Sequence, residues 1–178
     1  NLENSYSLNT KTGYLSMYCL PDTIKERSPY NFIGIKQKET YFETSTTMQF
    51  SPIINGEEAG LCLIQKDDNY ILFDVRHEDN ENVLRLVINA KKKNAILQKD
   101  LVMGKKYKNY IELKVILKEN KYHFYYRYQS NDLWELFDTT ASNLLLSEGY
   151  TGSHIGLYAT SNGKKSINFA SFDVFKLN

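Results

Sequence analysis

Histidine is the side chain best suited to acid–base or metal chemistry near neutral pH, and this sequence keeps its three histidines apart. His77, His123 and His154 fall in different predicted strands or turns, and no two have the spacing of metal ligands. The segment Gly152-Ser153-His154-Ile155-Gly156 imitates a reactive loop only superficially, because it lacks the Gly-x-Ser-x-Gly pattern of a nucleophile elbow. The sequence therefore predicts neither a zinc site nor a nucleophilic serine.

Carboxylates are the next candidates, since glycosidases need two of them facing each other across a sugar. Glu78-Asp79-Asn80-Glu81 and Asp67-Asp68 instead have the composition of turns between strands. Asp173, between Phe172 and Val174 in the last predicted strand, could ligate Ca²⁺ at the rim of a sheet, although no partner ligands are evident. With no phosphate-binding glycine loop either, we predict no catalytic residues in this chain.

Charge and composition narrow the possible partners. The 22 basic and 21 acidic residues give a net charge of +1, which attracts neither nucleic acid nor a membrane surface. The one basic cluster, Lys91-Lys92-Lys93 with Lys105-Lys106, has no interleaved aromatic residues and is predicted to be a solvated loop. Cys19 and Cys62 lie in apolar settings and are predicted to be buried free thiols. No apolar run is long enough to cross a membrane.

Strand periodicity is clearest in the second half of the chain. Apolar side chains alternate with polar ones over Ile111–Leu117 and again over Tyr122–Tyr128, a period of two that places one set on a single face of a strand. Glu119-Asn120 supplies the turn between them, and a second turn leads to Trp134, the only tryptophan. We expect a β-meander whose aromatic seam, extending to Trp134, is buried by another sheet, because a hairpin is not stable alone.

The rest of the chain continues this pattern. Ala59–Ile64 is a continuous apolar run typical of a central strand, and Asn162-Gly163 is a turn signal between the last two strands. Thr139–Ser147 could be a short helical turn or a loop with three leucines directed inward. About a dozen strands without a helical period predict an all-β fold, a two-sheet antiparallel β-sandwich of jelly-roll or concanavalin A-like topology, as one domain over residues 1–178.

Several short segments, taken in order, resemble the C-terminal β-sandwich of family 43 glycoside hydrolases of the β-xylosidase and α-L-arabinofuranosidase type. The resemblance covers almost the whole chain, and it rests on these segments: Gly13-Tyr14-Leu15, Ile35-Lys36-Gln37, Phe42-Glu43-Thr44-Ser45-Thr46, Phe50-Ser51-Pro52, Glu58-Ala59-Gly60-Leu61, Asn69-Tyr70-Ile71-Leu72, Tyr122-x-Phe124 with Trp134, Tyr150-Thr151-Gly152, Gly156-Leu157-Tyr158-Ala159 and Ala170-Ser171-Phe172-Asp173-Val174-Phe175.

The resemblance implies an accessory, non-catalytic role beside a five-bladed propeller that carries the catalytic acids of the parent enzyme. The sandwich of such enzymes packs on the propeller and lends one aromatic loop to the sugar pocket. That loop corresponds to Tyr150, Thr151 and Gly152, with Tyr150 in place of the family's phenylalanine and His154 close by in the sequence. The implied partners are the propeller and a xylo- or arabino-oligosaccharide. We expect the chain to be processed or part of a longer protein, and its cellular location cannot be predicted.

An alternative is an independent carbohydrate-binding module. Such modules present exposed aromatic rings on which the CH groups of sugars stack. Tyr125, on the opposite strand face from the seam, and Tyr158 are the candidate stacking residues.

Overall fold

The computed structural model describes residues 6–7, 13–21, 32–36, 41–66, 69–90, 95–142 and 154–177, which form thirteen strands and a short 3-10 helix, Gly104–Lys106. The strands are β1 Tyr6–Ser7, β2 Leu15–Tyr18, β3 Phe32–Lys36, β4 Phe42–Phe50, β5 Glu58–Lys66, β6 Asn69–Glu78, β7 Glu81–Ala90, β8 Ala95–Val102, β9 Tyr110–Lys118, β10 Lys121–Arg127, β11 Glu135–Ala141, β12 His154–Thr160 and β13 Phe169–Leu177.

The strands form two antiparallel sheets. The seven-stranded sheet has the order β1-β2-β13-β4-β9-β10-β11, and the six-stranded sheet has the order β3-β12-β5-β6-β7-β8. Sequence neighbours β5 to β8 pair as a meander, while β12 crosses to the six-stranded sheet and β13 returns to the other. This confirms the predicted two-sheet sandwich. It also shows that the Asn162-Gly163 turn carries the chain between sheets and does not close a hairpin.

The core lies between the inner faces of the two sheets. Phe73 of β6 meets Phe124 of β10 edge-on with ring centroids 5.3 Å apart, a preferred aromatic geometry. The Phe124 ring also contacts the ring of Tyr122, and the Tyr122 ring centroid lies 6.2 Å from that of Phe42 on β4. The alternating burial of β4, β9 and β10 follows the alternation of their sequences. The aromatic seam predicted from Tyr122, Phe124 and Tyr126 is therefore confirmed.

Tight turns occur where the sequence predicts them. Asp79 and Asn80 both have positive φ between β6 and β7, as do Glu119 and Asn120 between β9 and β10. Two successive residues with positive φ form the turn whose twist matches that of antiparallel strands. The acidic segment at Glu78–Glu81 is thus a hairpin turn.

One local prediction is wrong. Trp134 is not part of the buried seam but lies on the outer face, with the Lys114 ammonium 4.3 Å and the Arg127 guanidinium 4.2 Å from its ring centre. A register shift between Phe124 and Tyr125 in the β10–β11 pairing accompanies this change of face. Thr139 to Ala141 belong to β11, and the remainder of that segment, from 143 on, lies outside the described residues, so its predicted helical turn or loop stays a prediction.

Cys19 and Cys62 are buried free thiols, as predicted, and burial raises the pKa of each well above its usual value.

Lys105 and Lys106 are exposed on the 3-10 helix, whereas 91–93 lie outside the described residues. Across the part of the chain that the structure describes, there is no helix long and apolar enough to span a membrane.

Candidate functional site

The predicted pocket-lending segment leads into the start of β12. His154 is the first residue of that strand, is exposed, and lies opposite Lys36 of β3 on one side and Ile64 of β5 on the other. Tyr150, Thr151 and Gly152 lie outside the described residues, so their predicted role stays a prediction. Of the four predicted residues, the structure therefore fixes His154 alone, at one end of the outer face of the six-stranded sheet.

That end of the sheet also carries buried amide side chains. Asn89 of β7 donates through Nδ2 to the Tyr70 hydroxyl at 3.0 Å, and Asn69 of β6 donates to Gln65 at 3.2 Å. Among the described residues, the Oδ1 atoms of Asn69 and Asn89 have no hydrogen-bond partner. Buried acceptors of this kind are rare in folded proteins and usually bind water or another group.

Tyr158, predicted as a sugar-stacking residue, is fully buried with 0% exposure, which corrects that prediction. Its side chain does point to the outer face, away from the core, but that face is covered there. The hydroxyl of Tyr158 donates to a carboxylate, with Glu58 Oε2 at 2.9 Å and Asp74 within hydrogen-bonding reach. Its ring thus supports a charged cluster and is not available to a ligand.

We call this cluster the buried charge cluster; it consists of Glu58, Asp74, Arg85 and Tyr158. Arg85 Nη2 lies 2.5 Å from Glu58 Oε2 and 2.7 Å from Asp74 Oδ2, and Arg85 Nε lies 2.9 Å from Asp74 Oδ1. The guanidinium thereby binds Asp74 through two donors and shares one of them with Glu58. Bidentate, charge-assisted bonds of this kind are among the strongest in proteins.

A glycine makes the cluster possible. Tyr158 of β12, Gly60 of β5, Asp74 of β6 and Arg85 of β7 are aligned across four neighbouring strands. A Cβ on Gly60 would lie 2.4 Å from the Phe73 carbonyl oxygen and 2.6 Å from Asp74 Cα. Gly60 has no side chain, and this leaves room for the Tyr158 hydroxyl to reach across β5 to the carboxylates.

Burial, followed by the negative charge of Asp74, raises the pKa of Glu58 to about 8, although Arg85 opposes the shift. Burial would also raise the pKa of Asp74, but the charge of Arg85 and hydrogen bonds from Glu58, Arg85 and Tyr158 outweigh it and lower that pKa. The two carboxyl groups therefore share one proton near neutral pH, with Glu58 as the protonated member. Adjacent carboxyls behave in this way because both cannot ionise together at low cost.

The pair is not a glycosidase active site. Glu58 is nearly and Asp74 completely buried, and their oxygens are already bound by Arg85, Tyr158 and, for Glu58, the Asn162 amide. A glycosidase pair must flank a sugar that enters between the two groups. The cluster instead joins β5, β6, β7 and β12 through side chains.

Tyr125, the other predicted stacking residue, is half-buried on the outer face of β10 in the seven-stranded sheet. The Lys114 ammonium lies 5.1 Å from its ring centre. A cation at that distance from an aromatic centre is attracted to the ring. The predicted stacking of a sugar on Tyr125 stays a prediction.

Asp173, the candidate Ca²⁺ ligand, is half-buried on β13 opposite Thr47, and its carbonyl oxygen accepts a hydrogen bond from Thr46 Oγ1 at 3.3 Å. Within the described ranges, no three His, Cys, Asp or Glu residues are grouped so as to hold a metal ion. Because Ca²⁺ needs six or more oxygen ligands, Asp173 does not supply a fitting site by itself.

The buried charge cluster was missed by the sequence analysis, yet a signal for it exists. Asp74 stands between Phe73 and Val75, and Arg85 stands between Leu84 and Leu86, so each charge interrupts an apolar strand. Charges inside buried strands are almost always paired. Two such interruptions of opposite sign on neighbouring strands predict an internal ion pair.

Comparison with known proteins gives the same architecture and adds a family. A family model described as the β-xylosidase C-terminal concanavalin A-like domain matches residues 1–178. A xylosidase/arabinosidase from Butyrivibrio fibrisolvens is 29% identical over 178 residues, which is 97% of this chain but 33% of that protein. The chain therefore spans about a third of the length of this curated relative.

Solved structures share the fold. The Bacteroides ovatus xyloglucan PUL GH43B protein superposes with a TM-score of 0.84 at 23% identity, over 99% of this chain and 34% of that one. A functionally unknown protein from Saccharomyces cerevisiae superposes with a TM-score of 0.77 at 14% identity, over 98% of this chain and 91% of its own. The same sandwich thus occurs within longer chains and as nearly all of a shorter one. With the family model matched over all 178 residues, this chain belongs to the family of β-xylosidase C-terminal concanavalin A-like domains of glycoside hydrolase family 43.

Proposed function

We propose that the chain is the non-catalytic accessory sandwich of a larger family 43 glycoside hydrolase that acts on xylan- or arabinan-type oligosaccharides. In this proposal it packs on a catalytic five-bladed propeller and lends Tyr150, Thr151, Gly152 and His154 to the rim of the sugar pocket. The observation that carries the proposal is the family match over all 178 residues combined with a relative, a xylosidase/arabinosidase, about three times as long.

The surface beside β12 is suited to contact with another domain. On the edge strand β3, Ile33 and Ile35 are 37% and 41% exposed, whereas Lys36 and His154 pair at the end of that strand and point to the opposite face. Apolar side chains exposed next to one another commonly mark an interaction surface. The unpaired Oδ1 atoms of Asn69 and Asn89 lie at the same end of the sheet and could receive donors from a neighbouring domain or water.

A chimera tests the proposal. The matching third of the Butyrivibrio fibrisolvens xylosidase/arabinosidase would be replaced by this chain, and hydrolysis of nitrophenyl xyloside and arabinofuranoside would be measured. We expect the chimera to be active and the isolated chain to be inactive. Changing Tyr150→Ala should lower kcat/KM by about tenfold, since lost contact with a transition-state sugar of about 1.4 kcal/mol has that effect.

Tyr125→Ala is the matched control, because it removes a tyrosine from the other sheet and should leave kcat/KM unchanged. Hydrolysis by the isolated chain, or equal kcat/KM for the chimera and its Tyr150→Ala variant, would refute the pocket-lending role.

The alternative function is an independent carbohydrate-binding module. Of its two candidate stacking residues, Tyr158 is buried and Tyr125 is half-buried. Loss of oligosaccharide binding by the chain on Tyr125→Ala would favour it. A surface elsewhere on the seven-stranded sheet has more of the features that sugar binding requires.

A further inference from the structure

An open groove of about 560 Å³ lies on the outer face of the seven-stranded sheet; we call it the β4–β9–β13 groove. Its volume falls in the range of about 300–1,000 Å³ typical of small-ligand sites. The lining residues are Gln49, Ser51, Lys108, Asn109, Tyr110, Asn168, Phe169 and Ser171. They come from the end of β4, the start of β9 and the start of β13.

The groove and His154 lie toward opposite ends of β12. β12 begins at His154 and ends at Thr160, and the chain then runs through the connection to Asn168 and Phe169, which line the groove. Seven strand residues span roughly 20 Å at about 3.4 Å per residue. His154 lies on the six-stranded sheet and the groove on the seven-stranded sheet, so the two are separate surfaces.

Strand register sets the shape of the groove. Ser171 of β13 lies opposite Gln49 of β4, and Gln49 lies opposite Tyr110 of β9. Phe169 is two residues before Ser171 and so points to the same face. Phe169 and Tyr110 are thus two strands apart, which is about 10 Å at the usual strand spacing. The polar side chains of Gln49 and Ser51 lie between them.

The aromatic walls are fixed by neighbours yet remain half-exposed. Phe169 meets Tyr18 edge-on, with ring centroids 6.0 Å apart and planes at 68°. Burial and the nearby charge of Glu112 raise the pKa of Tyr110, and its hydroxyl is hydrogen-bonded to Thr47. Each ring offers an apolar surface beside polar groups, the combination on which sugars stack.

A buried carboxylate holds one wall in place. Glu57 accepts backbone N–H bonds from Ile53 at 2.9 Å and Ile54 at 2.8 Å, and it accepts the Ser166 hydroxyl at 2.5 Å. Asn168 Nδ2 donates to the Ser51 carbonyl oxygen at 2.9 Å and lies 3.3 Å from Glu57. The β4–β5 and β12–β13 connections are therefore tied to each other beside the groove.

The opposite wall is equally anchored. The Tyr107 hydroxyl donates to the Phe50 carbonyl oxygen at 2.5 Å, and the Phe50 N–H donates to the Asn109 carbonyl oxygen at 3.1 Å. Lys108 and Asn109 are exposed between these anchors. A site whose supporting backbone is already ordered loses little entropy on binding.

The chemistry of the lining selects the ligand class. The eight residues include three amides, two hydroxymethyl groups and two aromatic rings, with one cation, Lys108, and no carboxylate. A cation would lack carboxylate ligands, and a nucleic acid would need more than one positive charge. The Ser171 hydroxyl is bound to that of Ser16. The amides of Gln49 and Asn109 can pair with hydroxyl groups, and beside rings that stack on CH groups they fit an uncharged sugar chain.

We propose that the β4–β9–β13 groove binds a short, uncharged oligosaccharide of pentose units, as a second sugar site distinct from the pocket to which Tyr150 would contribute. The choice of pentoses rests on the proposed function, whereas the proposal that the groove binds a sugar chain rests on its geometry and lining. Tyr110 and Phe169 stack on the sugar rings, and Gln49 and Asn109 bind hydroxyl groups. Asn168, whose amide is bound to Ser51, Glu57 and the Phe169 N–H, holds the wall in place. The site would hold a polymer near the enzyme while another segment is hydrolysed.

Nuclear magnetic resonance titration of the 178-residue chain tests this directly. Xylotetraose and arabinotetraose are added separately, and maltotetraose serves as the hexose comparison. We expect saturable backbone shifts for residues 49–51, 108–110 and 168–171 with at least one pentose ligand and weaker or no response to maltotetraose. The mapping uses the native chain and so does not depend on a variant that folds.

Variants then assign the stacking. Tyr110→Ala and Phe169→Ala should each weaken binding by about tenfold or more, a loss of about 1.4 kcal/mol. Tyr41→Ala, at an exposed position just before β4 and outside the groove, should bind as the native chain does. No saturable shift at millimolar pentose, shifts confined to other surfaces, or equal binding of maltotetraose would overturn the proposal. None of these results depends on the activity of the chimera, so the two proposals can fail separately.

Discussion

On the outer face of the six-stranded sheet, Arg85 lies 2.5 Å from Glu58 and 2.7 Å from Asp74 in a cluster that is almost completely removed from water. On the outer face of the seven-stranded sheet, Arg127 binds Glu112 at 2.9 Å and lies beneath Trp134, but this arginine remains partly exposed. Each face thus has an arginine bound to carboxylate, and the two differ in their contact with water.

This difference in solvation has functional consequences. A buried pair must remain complete, because removing one member leaves an uncompensated charge in a medium of low dielectric constant. A partly exposed pair is screened by water, and its loss is tolerated. The six-stranded sheet therefore has its outer charges buried and bound to one another, while the seven-stranded sheet has polar and aromatic groups in contact with water.

The largest expected effect comes from Arg85→Met, which keeps an apolar stem but removes the guanidinium. The buried Asp74 then lacks its cation and Glu58 keeps only the longer contact with Arg76, at 3.6 Å, so we expect the free energy of unfolding to fall by about 3–5 kcal/mol. Arg127→Met is the comparison on the other face; it also leaves Glu112 without its cation, but on a partly wet surface, and should cost about 1–2 kcal/mol. Urea denaturation measures both; equal losses would contradict the contrast between the two faces.

A pH series sharpens the same comparison. The folded-state pKa of Glu58, about 8, exceeds its unfolded value, so its contribution to stability is complete below the unfolded pKa and is lost as pH rises through 8. The loss has a limiting slope of about 1.4 kcal/mol per pH unit. Glu58→Gln, which mimics the protonated group, should remove this slope in urea titrations between pH 5 and 9. A Glu58→Gln protein with the native pH profile would show that Glu58 does not hold the proton.

Glu57 tests the support of the groove. Burial opposes ionisation, but hydrogen bonds from Ser166, Ile53, Ile54 and Asn168 lower its pKa. Its stabilising contribution is therefore present above the unfolded pKa and is lost as pH falls through the folded value. Glu57→Gln should reduce the free energy of unfolding by about 2 kcal/mol at pH 7, since bonds to a charged acceptor are lost.

Glu81→Gln, at an exposed position in the β6–β7 turn, is the control for Glu57 and should be nearly neutral. Chemical denaturation at pH 7 and pH 4 compares the two variants with the native chain. If Glu57→Gln were as stable as the native chain at pH 7, the carboxylate would not tie the two connections together.

The smallest effect is expected for Trp134→Ala. Its ring covers Arg127 and Lys114 on a partly wet surface, where each cation–π contact contributes about 0.5–1 kcal/mol. By contrast, Phe124→Ala in the core should cost about 3–5 kcal/mol. Thermal unfolding of both variants measures the difference, and comparable losses would place Trp134 in the core after all.

Strand positions and several turns follow from local sequence. Alternation over Ile111–Leu117 and Tyr122–Tyr128 predicts the inward residues of β9 and β10, and Glu119-Asn120 forms the expected turn with positive φ at both residues. These features are predictable because side-chain direction and turn geometry depend on residues close together in the chain. The family resemblance likewise depends on the order of short motifs.

Exposure was harder to predict than direction. Tyr158 points outward as its neighbours imply, but the outer face is closed around it. Trp134 directly precedes β11, which pairs with β10 in a shifted register, and its ring lies outside the seam. Of the groove residues, Gln49, Tyr110 and Ser171 are far apart in the sequence and meet only through pairing across β4, β9 and β13.

The sequence by itself therefore determined the strands, the inward side of each, and the family to which their order of motifs is similar. The tertiary structure decided which outer face is covered, that Glu58 and Asp74 share a proton beside Arg85, and where an open polar groove remains. The physical reason is that alternation along a strand is a local property, whereas solvation of a face depends on every other segment that packs against it.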